Sequence, residues 1–218
     1  MGRNSKFTVF FDFDNTIAKF DVFDNMVQRF ARDDRWIKLE DRWRQGKIGS
    51  KECLEGQIHC MGITKNSLDR YLAGIKLDPF FLKLISLLRA KKIKTAVVSD
   101  NFDYILKGIL KRNGIDKLKI YSNKMRISGD RFILGFPFRN KKCPVCAHCK
   151  TKNLLANSPK NSIIIYIGDG RSDICPAQEA DIIFAKGSLR KYCREKKIKH
   201  IPFQGLKKVY YYFQRSLA

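Results

Sequence analysis

Lys6 to Phe11 (KFTVFF) is a short run of β-branched and aromatic residues, and it ends directly in Asp12-Phe13-Asp14-Asn15-Thr16-Ile17. Its length and composition predict a buried strand, which places two carboxylates and a hydroxyl at the strand's C-terminal end. In open α/β sheets that end is where ligands bind. The chain is therefore expected to carry its chemistry from residue 12 onward.

Three later segments repeat the pattern. Ile93 to Ser99 (IKTAVVS) is a second apolar run that ends in a hydroxyl, and Asp100-Asn101-Phe102-Asp103-Tyr104 after it reads as a helix start. A strand end, a polar residue and a helix N-terminus together make an anion site. Ile163 to Ile167 is a third strand, followed by Gly168-Asp169-Gly170-Arg171-Ser172-Asp173, in which glycines permit a tight turn and two more carboxylates follow. The fourth segment offers Lys150, with Lys152 as the alternative, at the opening of a helical stretch before Leu154 and Leu155.

If these ends converge, Asp12, Asp14, Asp169 and Asp173 share one pocket. Two unit charges about 4 Å apart repel by about 4 kcal/mol at an effective dielectric near 20. Such a cluster calls for a cation, and an all-oxygen site with few side-chain ligands suits Mg²⁺, which takes one or two carboxylates, waters and substrate phosphate. Lysine, hydroxyl and helix N-terminus would bind phosphate oxygens, while a carboxylate outside the metal shell transfers protons. That is the equipment for phosphoryl transfer to an aspartate.

DFDNT, VVS, a lysine opening a helix and GDGRSD resemble, in order and across nearly the whole chain, the four motifs of the haloacid dehalogenase superfamily. SDNFDYI and IGDGRSDICPAQEADIIFAKGSLRKYC are similar to its phosphoserine phosphatase-like branch. Within that branch the nearest likenesses are the 2-hydroxy-3-keto-5-methylthiopentenyl-1-phosphate phosphatases, then the phosphocholine/phosphoethanolamine phosphatases. The resemblance implies a doubly wound, mostly parallel sheet with an inserted α-helical cap, and a Mg²⁺-dependent phosphatase. It implies that Asp12 is the nucleophile and Asp14 the general acid/base. It further implies that Thr16 supports their loop and that Ser99 and Lys150 bind phosphate, with Asp100 and Gly170 as further contacts. Asp169 would ligate Mg²⁺ together with Asp12 and the backbone carbonyl of Asp14, and Asp173 would complete the metal site or orient its water. Lys150 is preferred over Lys152 because relatives place this lysine directly after a cysteine, as in Cys149-Lys150.

Length supports this reading, since 218 residues with 44% hydrophobic content suit one α/β domain with an insertion. Residues 1–16 and 93–218 are expected to form the core, and residues 17–92, too long for a simple crossover, the cap. In the cap, Asp33 or Asp34 would cap a helix carrying Trp36, Leu39 and Trp43, Thr64 would cap another, and Asp78-Pro79 would start a third. Trp36 and Trp43 suit either the substrate pocket or the cap's own core. Beyond Gly114, a helix C-cap, Leu118 to Tyr121 reads as a strand and Arg126 to Leu134 as a hairpin around Ser128-Gly129-Asp130. Ile182 to Ala185 and Ile198 to Phe203 are further strands. Neither a membrane-length apolar stretch nor a signal-peptide pattern is present, so a cytoplasmic enzyme is expected.

Seven cysteines in such an enzyme favour thiols over disulfides. Cys143, Cys146 and Cys149, with His148 among them, have metal-ligand spacing and are a candidate second metal site, although a tetrahedral site usually joins two separated ligand pairs. The phosphatase reading does not require the charge balance: 44 Lys and Arg against 21 Asp and Glu give +23. A nucleic-acid-binding protein, or a phosphatase of nucleic-acid ends, is therefore the alternative. Basic residues spread along the chain and the lack of a recognition motif instead favour a small phosphorylated metabolite, with only weak nonspecific nucleic-acid binding.

Overall fold

The computed structural model describes residues 7–129 and 131–217. Lys6 of the expected first strand, the start of the expected core segment 1–16, and Asp130 of the expected turn lie outside the described residues.

Strand β1 (Phe7–Phe11) lies at the centre of a seven-stranded sheet. It pairs in parallel with β2 (Lys94–Phe102) on one side and with β5 (Ile163–Gly168) on the other. Beyond β2 come β3 (Lys119–Ser128), parallel to it, and β4 (Arg131–Gly135), antiparallel to β3; beyond β5 come β6 (Ile182–Ala185) and β7 (Ile201–Pro202). The order 4-3-2-1-5-6-7 reverses at β1, and the crevice beyond its C-terminal end is the topological switch point. The fold is the expected doubly wound, mostly parallel sheet.

Alternate residues of β1 feed opposite faces, as the period of two in a strand demands. Val9 and Phe11 pack with Val97, Ile165 and Ile167 in one cluster, while Phe10 joins Ala96, Val98 and Tyr166 in another. Both faces are covered. Helices α5 (Phe81–Ala90), α6 (Asp103–Arg112) and α10 (Leu206–Ser216) bury Leu84, Ile105 and Val209 in the first cluster; α7 (Lys150–Asn157), α8 (Ile174–Gln178) and α9 (Gly187–Glu195) bury Leu154, Ala177 and Leu189 in the second.

Between β1 and α5 lie α1 (Val22–Phe30), α2 (Arg35–Arg44), α3 (Ser50–Cys60) and α4 (Lys65–Ala73). Thr64 caps α4 through a capping box with Ser67, and Asp33 accepts the Arg35 N–H before α2. Asp78 accepts the Phe80 N–H at the start of α5, which packs against β2 and α10. Trp36 packs at the edge of the main core, whereas Trp43 faces the cavity described below.

Three expected boundaries move. Strand β2 continues through Asp100-Asn101-Phe102, and α6 starts only at Asp103, because the pairing with β3 shifts register between Ser99 and Phe102. Strand β3 extends past Tyr121 to Ser128: its polar second half is held by β4, a partner that local composition does not reveal. In β7 only Ile201 and Pro202 pair, since it forms the sheet edge beside β6 alone.

Candidate active site

The register of β1 brings the expected residues together. The Asp12 N–H donates to the Ile167 carbonyl (2.9 Å), so Asp12 sits level with the end of β5 and the GDGRSD loop. The chain then turns tightly: the N–H groups of Thr16, Ile17 and Ala18 all point to the Phe13 carbonyl, and Asn15 is left-handed at φ 55°. The turn buries Thr16, whose Oγ1 donates to Asp169 Oδ1 (3.3 Å).

Lys150, the first residue of α7, is buried at 3% exposure between two carboxylates. Its Nζ donates to Asp12 Oδ1 (2.6 Å), Asp173 Oδ1 (2.7 Å) and Ser172 Oγ (3.0 Å). Lys152 is exposed, so of the two lysines it is Lys150 that reaches Asp12 and Asp173. Asp173 is taken at both oxygens: Tyr166 Oη (2.6 Å) joins Lys150 at Oδ1, and the N–H groups of Asp169 and Gly170 (both 2.9 Å) meet Oδ2. Gly168 makes this approach possible, because a Cβ there would lie 2.6 Å from Asp173 Oδ2.

Electrostatics separates the roles. Burial raises the Asp12 carboxyl well above the usual range, Asp173, Asp169 and Asp14 add to the rise, and Lys150 offsets only part of it. Asp169 is pushed up to about 6 by burial and by Asp173. Asp173 is instead held low: burial opposes its charge, but Lys150, Tyr166 and the loop N–H groups outweigh it. Burial also works against the charge of Lys150, yet Asp12 and Asp173 carry it above its ordinary value.

Among the described residues, Asp12, Asp169 and Asp173 are the one group of three potential ligands whose atoms lie within 4.8 Å of one another. This all-oxygen set, in which the Asp12 and Asp169 carboxyls are raised and Asp173 is held low, fits a divalent cation such as Mg²⁺. The Asp14 carboxylate lies outside that group. Its oxygens accept the Val22 N–H at the start of α1 (2.8 Å) and Asn101 Nδ2 (3.1 Å), and burial followed by repulsion from Asp21 raises it well above the usual range.

These side chains surround a cavity of about 230 Å³ between the sheet's C-terminal edge and α1–α3. Asp12, Asp14, Lys150 and Asp169 line its floor, with Ser99, Asp100 and Gly170 beside them. Ser99 is buried and its Oγ accepts the Asn101 N–H (3.1 Å). Asp100 Oδ1 is buried without a partner, and burial lifts the carboxyl to about 6.

Apart from Trp43, one of the two tryptophans that suited the pocket, the far wall was not anticipated from sequence. It carries Asp21, Asp24, Glu40, Trp43 and Gln57, and Asn101 joins them from β2. Asp21 had one legible signal, its helix-capping position, where it accepts the Asp24 N–H. Nothing local marked Glu40 or Gln57, because they meet only when α2 packs against α3.

The cysteine loop does not assemble a comparable centre. Cys149 Sγ accepts the Lys152 N–H (3.4 Å) as the cap of α7, and the three thiols form no ligand group of the kind above among the described residues. His148 is buried, with Nε2 against Asn153 Nδ2 (3.1 Å) and its ring 5.2 Å from that of Phe138. Burial, then Lys150, pushes its imidazole down to about 3. Below the unfolded value near 6.5 the unfolded chain takes up a proton that the native state refuses. This group alone therefore lowers stability by about 1.4 kcal/mol per pH unit from about 6.5 down to about 3. His148→Gln should show a flatter loss in urea titrations between those pH values; an unchanged slope would contradict the assignment.

Residues 7–207 match the family described as Putative Phosphatase. A 2-hydroxy-3-keto-5-methylthiopentenyl-1-phosphate phosphatase of Bacillus velezensis is 26% identical over 205 residues, covering 91% of this chain and 86% of that protein. A phosphoserine phosphatase of Archaeoglobus fulgidus is 27% identical over 176 residues, covering 78% of this chain and 49% of that protein. Among solved structures, a phospho-aspartyl intermediate analogue of phosphoserine phosphatase superposes with a TM-score of 0.72 at 17% identity, over 96% of this chain and 99% of that one. A hydrolase of Salmonella enterica serovar Typhi from the haloacid dehalogenase family gives 0.71 at 21% identity, over 92% of this chain and 67% of that one.

Motifs, fold and likenesses place the chain among the phosphatases of the haloacid dehalogenase superfamily. Within them it belongs to the Putative Phosphatase family, and it is a phosphoric monoester hydrolase. Among the described residues no helix is long and apolar enough to cross a membrane.

Proposed function

We propose that the chain hydrolyses a small phosphomonoester through an aspartyl-phosphate on Asp12, with α1–α4 as a cap over the site. The observation that carries this reading is the buried Asp12–Lys150–Asp173 chain of contacts at the switch point of the sheet. An Asp12 carboxylate oxygen attacks phosphorus, the ester P–O bond breaks, and Asp14 protonates the leaving oxygen. Asp14 then takes a proton from the water that attacks the phosphorus and releases Asp12. Its position on the cap side and its raised carboxyl suit both steps. Lys150 and Ser99 bind phosphate oxygens, while Asp173 positions Lys150 and the Asp169 loop. Asp12, Asp169 and the Asp14 backbone carbonyl would hold Mg²⁺, which would supply charge neutralisation for the phosphoryl group. Chelation with EDTA should abolish hydrolysis of p-nitrophenyl phosphate and Mg²⁺ restore it. Ca²⁺ should not, because its larger, looser shell misplaces the carboxylates. Full activity after exhaustive chelation would refute the metal requirement.

Two substrate readings compete. The relatives' name favours a methylthiopentenyl phosphate. The cavity wall favours a phosphomonoester carrying an ammonium group, such as phosphoethanolamine, phosphocholine or phosphoserine. Burial, with Asp21 and Glu40 nearby, lifts the Asp24 carboxyl to about 7, so a bound cation would relieve a repulsion already present in the wall. This acidic wall also disfavours an oligonucleotide, despite the chain's +23. Asp24→Asn should raise KM for phosphoethanolamine about tenfold, equivalent to about 1.4 kcal/mol, and leave p-nitrophenyl phosphate nearly unchanged. Equal effects on both substrates, in a metabolite panel that includes the methylthiopentenyl ester, would remove the ammonium reading.

A further inference from the structure

Strand β2 loses its regular pairing where it reaches the site. Ser99 pairs with Ser122, but the next pair is Phe102 with Asn123, so Asp100 and Asn101 bulge out of the ladder. A bulge re-aims the side chains it carries. This one is tied down on both sides of Asn101: the Asn101 N–H donates to Ser99 Oγ (3.1 Å), and Asn123 Nδ2 donates to the Asp100 carbonyl. The buried ring of Phe102 then anchors the strand's end against Phe23 of α1 and Phe136, with centroids 5.8 Å and 6.1 Å away.

The Asn101 side chain is aimed into the cavity at 3% exposure. Its Nδ2 lies 3.1 Å from Asp14 Oδ2 and 3.4 Å from Asp14 Oδ1, and its Oδ1 accepts the Phe102 N–H (2.7 Å). A carboxamide has one donor end and one acceptor end. Because the Phe102 N–H takes the acceptor end, the donor end must face Asp14. The reverse orientation would set a carbonyl against a carboxylate and an amide N–H against a backbone N–H.

Asp14 is thus gripped from two directions. The Val22 N–H reaches Oδ1 from the start of α1 (2.8 Å), and Asn101 reaches mainly Oδ2 from β2. Among the described residues these are the two groups that donate hydrogen bonds to the Asp14 side chain.

We propose that Asn101 is a positioning residue for phosphomonoester hydrolysis, whose carboxamide fixes the orientation of the Asp14 carboxyl for both proton transfers. The inference rests on the role given to Asp14 above. Asp14 gives its proton to the ester oxygen as the P–O bond breaks, then takes one from the water that attacks phosphorus, so it ends the cycle as it began. Asn101 itself exchanges no proton. Each transfer requires the carboxyl within hydrogen-bond reach of the reacting oxygen. Held through Oδ1 alone, the carboxyl can turn about its side-chain bonds and lose that aim, and small misplacements of a reacting group cost large factors in rate.

The leaving group supplies the test. Phenolate is more basic than p-nitrophenolate and depends more on being protonated as it leaves. Asn101→Ala should therefore lower kcat/KM for phenyl phosphate at least about tenfold more than for p-nitrophenyl phosphate, with phosphate accumulating on Asp12 in acid-quenched samples. Asn101→Ser can still take the Phe102 N–H through its hydroxyl but is too short to reach Asp14. It should show the same preference between esters, and it carries the test where Asn101→Ala fails to fold. Asp14→Asn is the reference. Adding Asn101→Ala to it should change kcat/KM by less than about twofold, because the carboxyl that Asn101 aims is gone. Equal losses for the two esters, a wild-type ratio between them in Asn101→Ser, or full additivity with Asp14→Asn would overturn positioning by Asn101 while leaving Asp14 in its role. No preference between the esters in Asp14→Asn itself would refute the role of Asp14, and the inference with it.

Discussion

Asp12→Asn should reduce hydrolysis of p-nitrophenyl phosphate at least about a thousandfold, a loss of about 4 kcal/mol of transition-state stabilisation. An amide is a poor nucleophile and cannot form the acyl phosphate. The substitution is isosteric, and the amide oxygen still accepts from Lys150 Nζ, which lies 2.6 Å from Asp12 Oδ1 in the native site. The circular dichroism spectrum should therefore match wild type. The variant should also yield no phosphate burst and no covalent phosphate on residue 12 in a rapid acid quench. Residual activity above a thousandth of wild type with an intact fold would assign the nucleophile elsewhere. Asp14→Asn should differ in kind, since phosphorylation of Asp12 can proceed slowly while release stalls for want of a base.

Lys150→Met should damage both activity and stability. Among the described residues the lysine is the one cation in direct contact with Asp12 and Asp173, and all three side chains are buried. Removing one partner of a buried ion pair costs about 3–5 kcal/mol, because the remaining charges are left uncompensated. The pH dependence gives the loss a signature. Without Lys150 the folded-state carboxyl values lie above their unfolded values, so the penalty is full at neutral pH and shrinks as acid neutralises a carboxylate. Urea unfolding at pH 5 and pH 8 should show the gap from wild type narrowing at pH 5. Lys152→Met, on the exposed side, should stay within about 0.5 kcal/mol of wild type. Equal stability losses at 150 and 152 would show that the network contributes little to the fold.

The core of this site was legible because each of its parts is local. β1 is short, apolar and ends in Asp12; β5 ends in Gly168-Asp169; and both patterns report a strand buried on two faces with polar groups at one end. The runs themselves read as strands alternating with helical segments, and the doubly wound arrangement was what the motifs' resemblance to the haloacid dehalogenase superfamily implied. Thr64 as a helix cap was legible for the same reason, although its reciprocal bond with Ser67 was not read.

What the sequence left undecided depends on contacts between distant segments. Lys150 and Lys152 are indistinguishable in composition, and the turn of α7 decides which one is buried against Asp12, 138 positions away. Tyr166 reads as one more strand aromatic, yet its hydroxyl reaches Asp173 because alternate residues of β5 face that side of the sheet. The polar half of β3 becomes strand only because β4 supplies hydrogen-bond partners. The cavity's acidic wall arises where α1 and α2 meet across α3, so neither its charge nor its reach is written in any one segment. The sequence by itself determined the strands, their polar ends and the residue types gathered at the candidate site, because strand periodicity and turn chemistry act over a few residues. Only the tertiary structure decided which lysine is buried, which carboxylate is held fixed and what faces the substrate, because burial and pairwise charge depend on distances that packing alone sets.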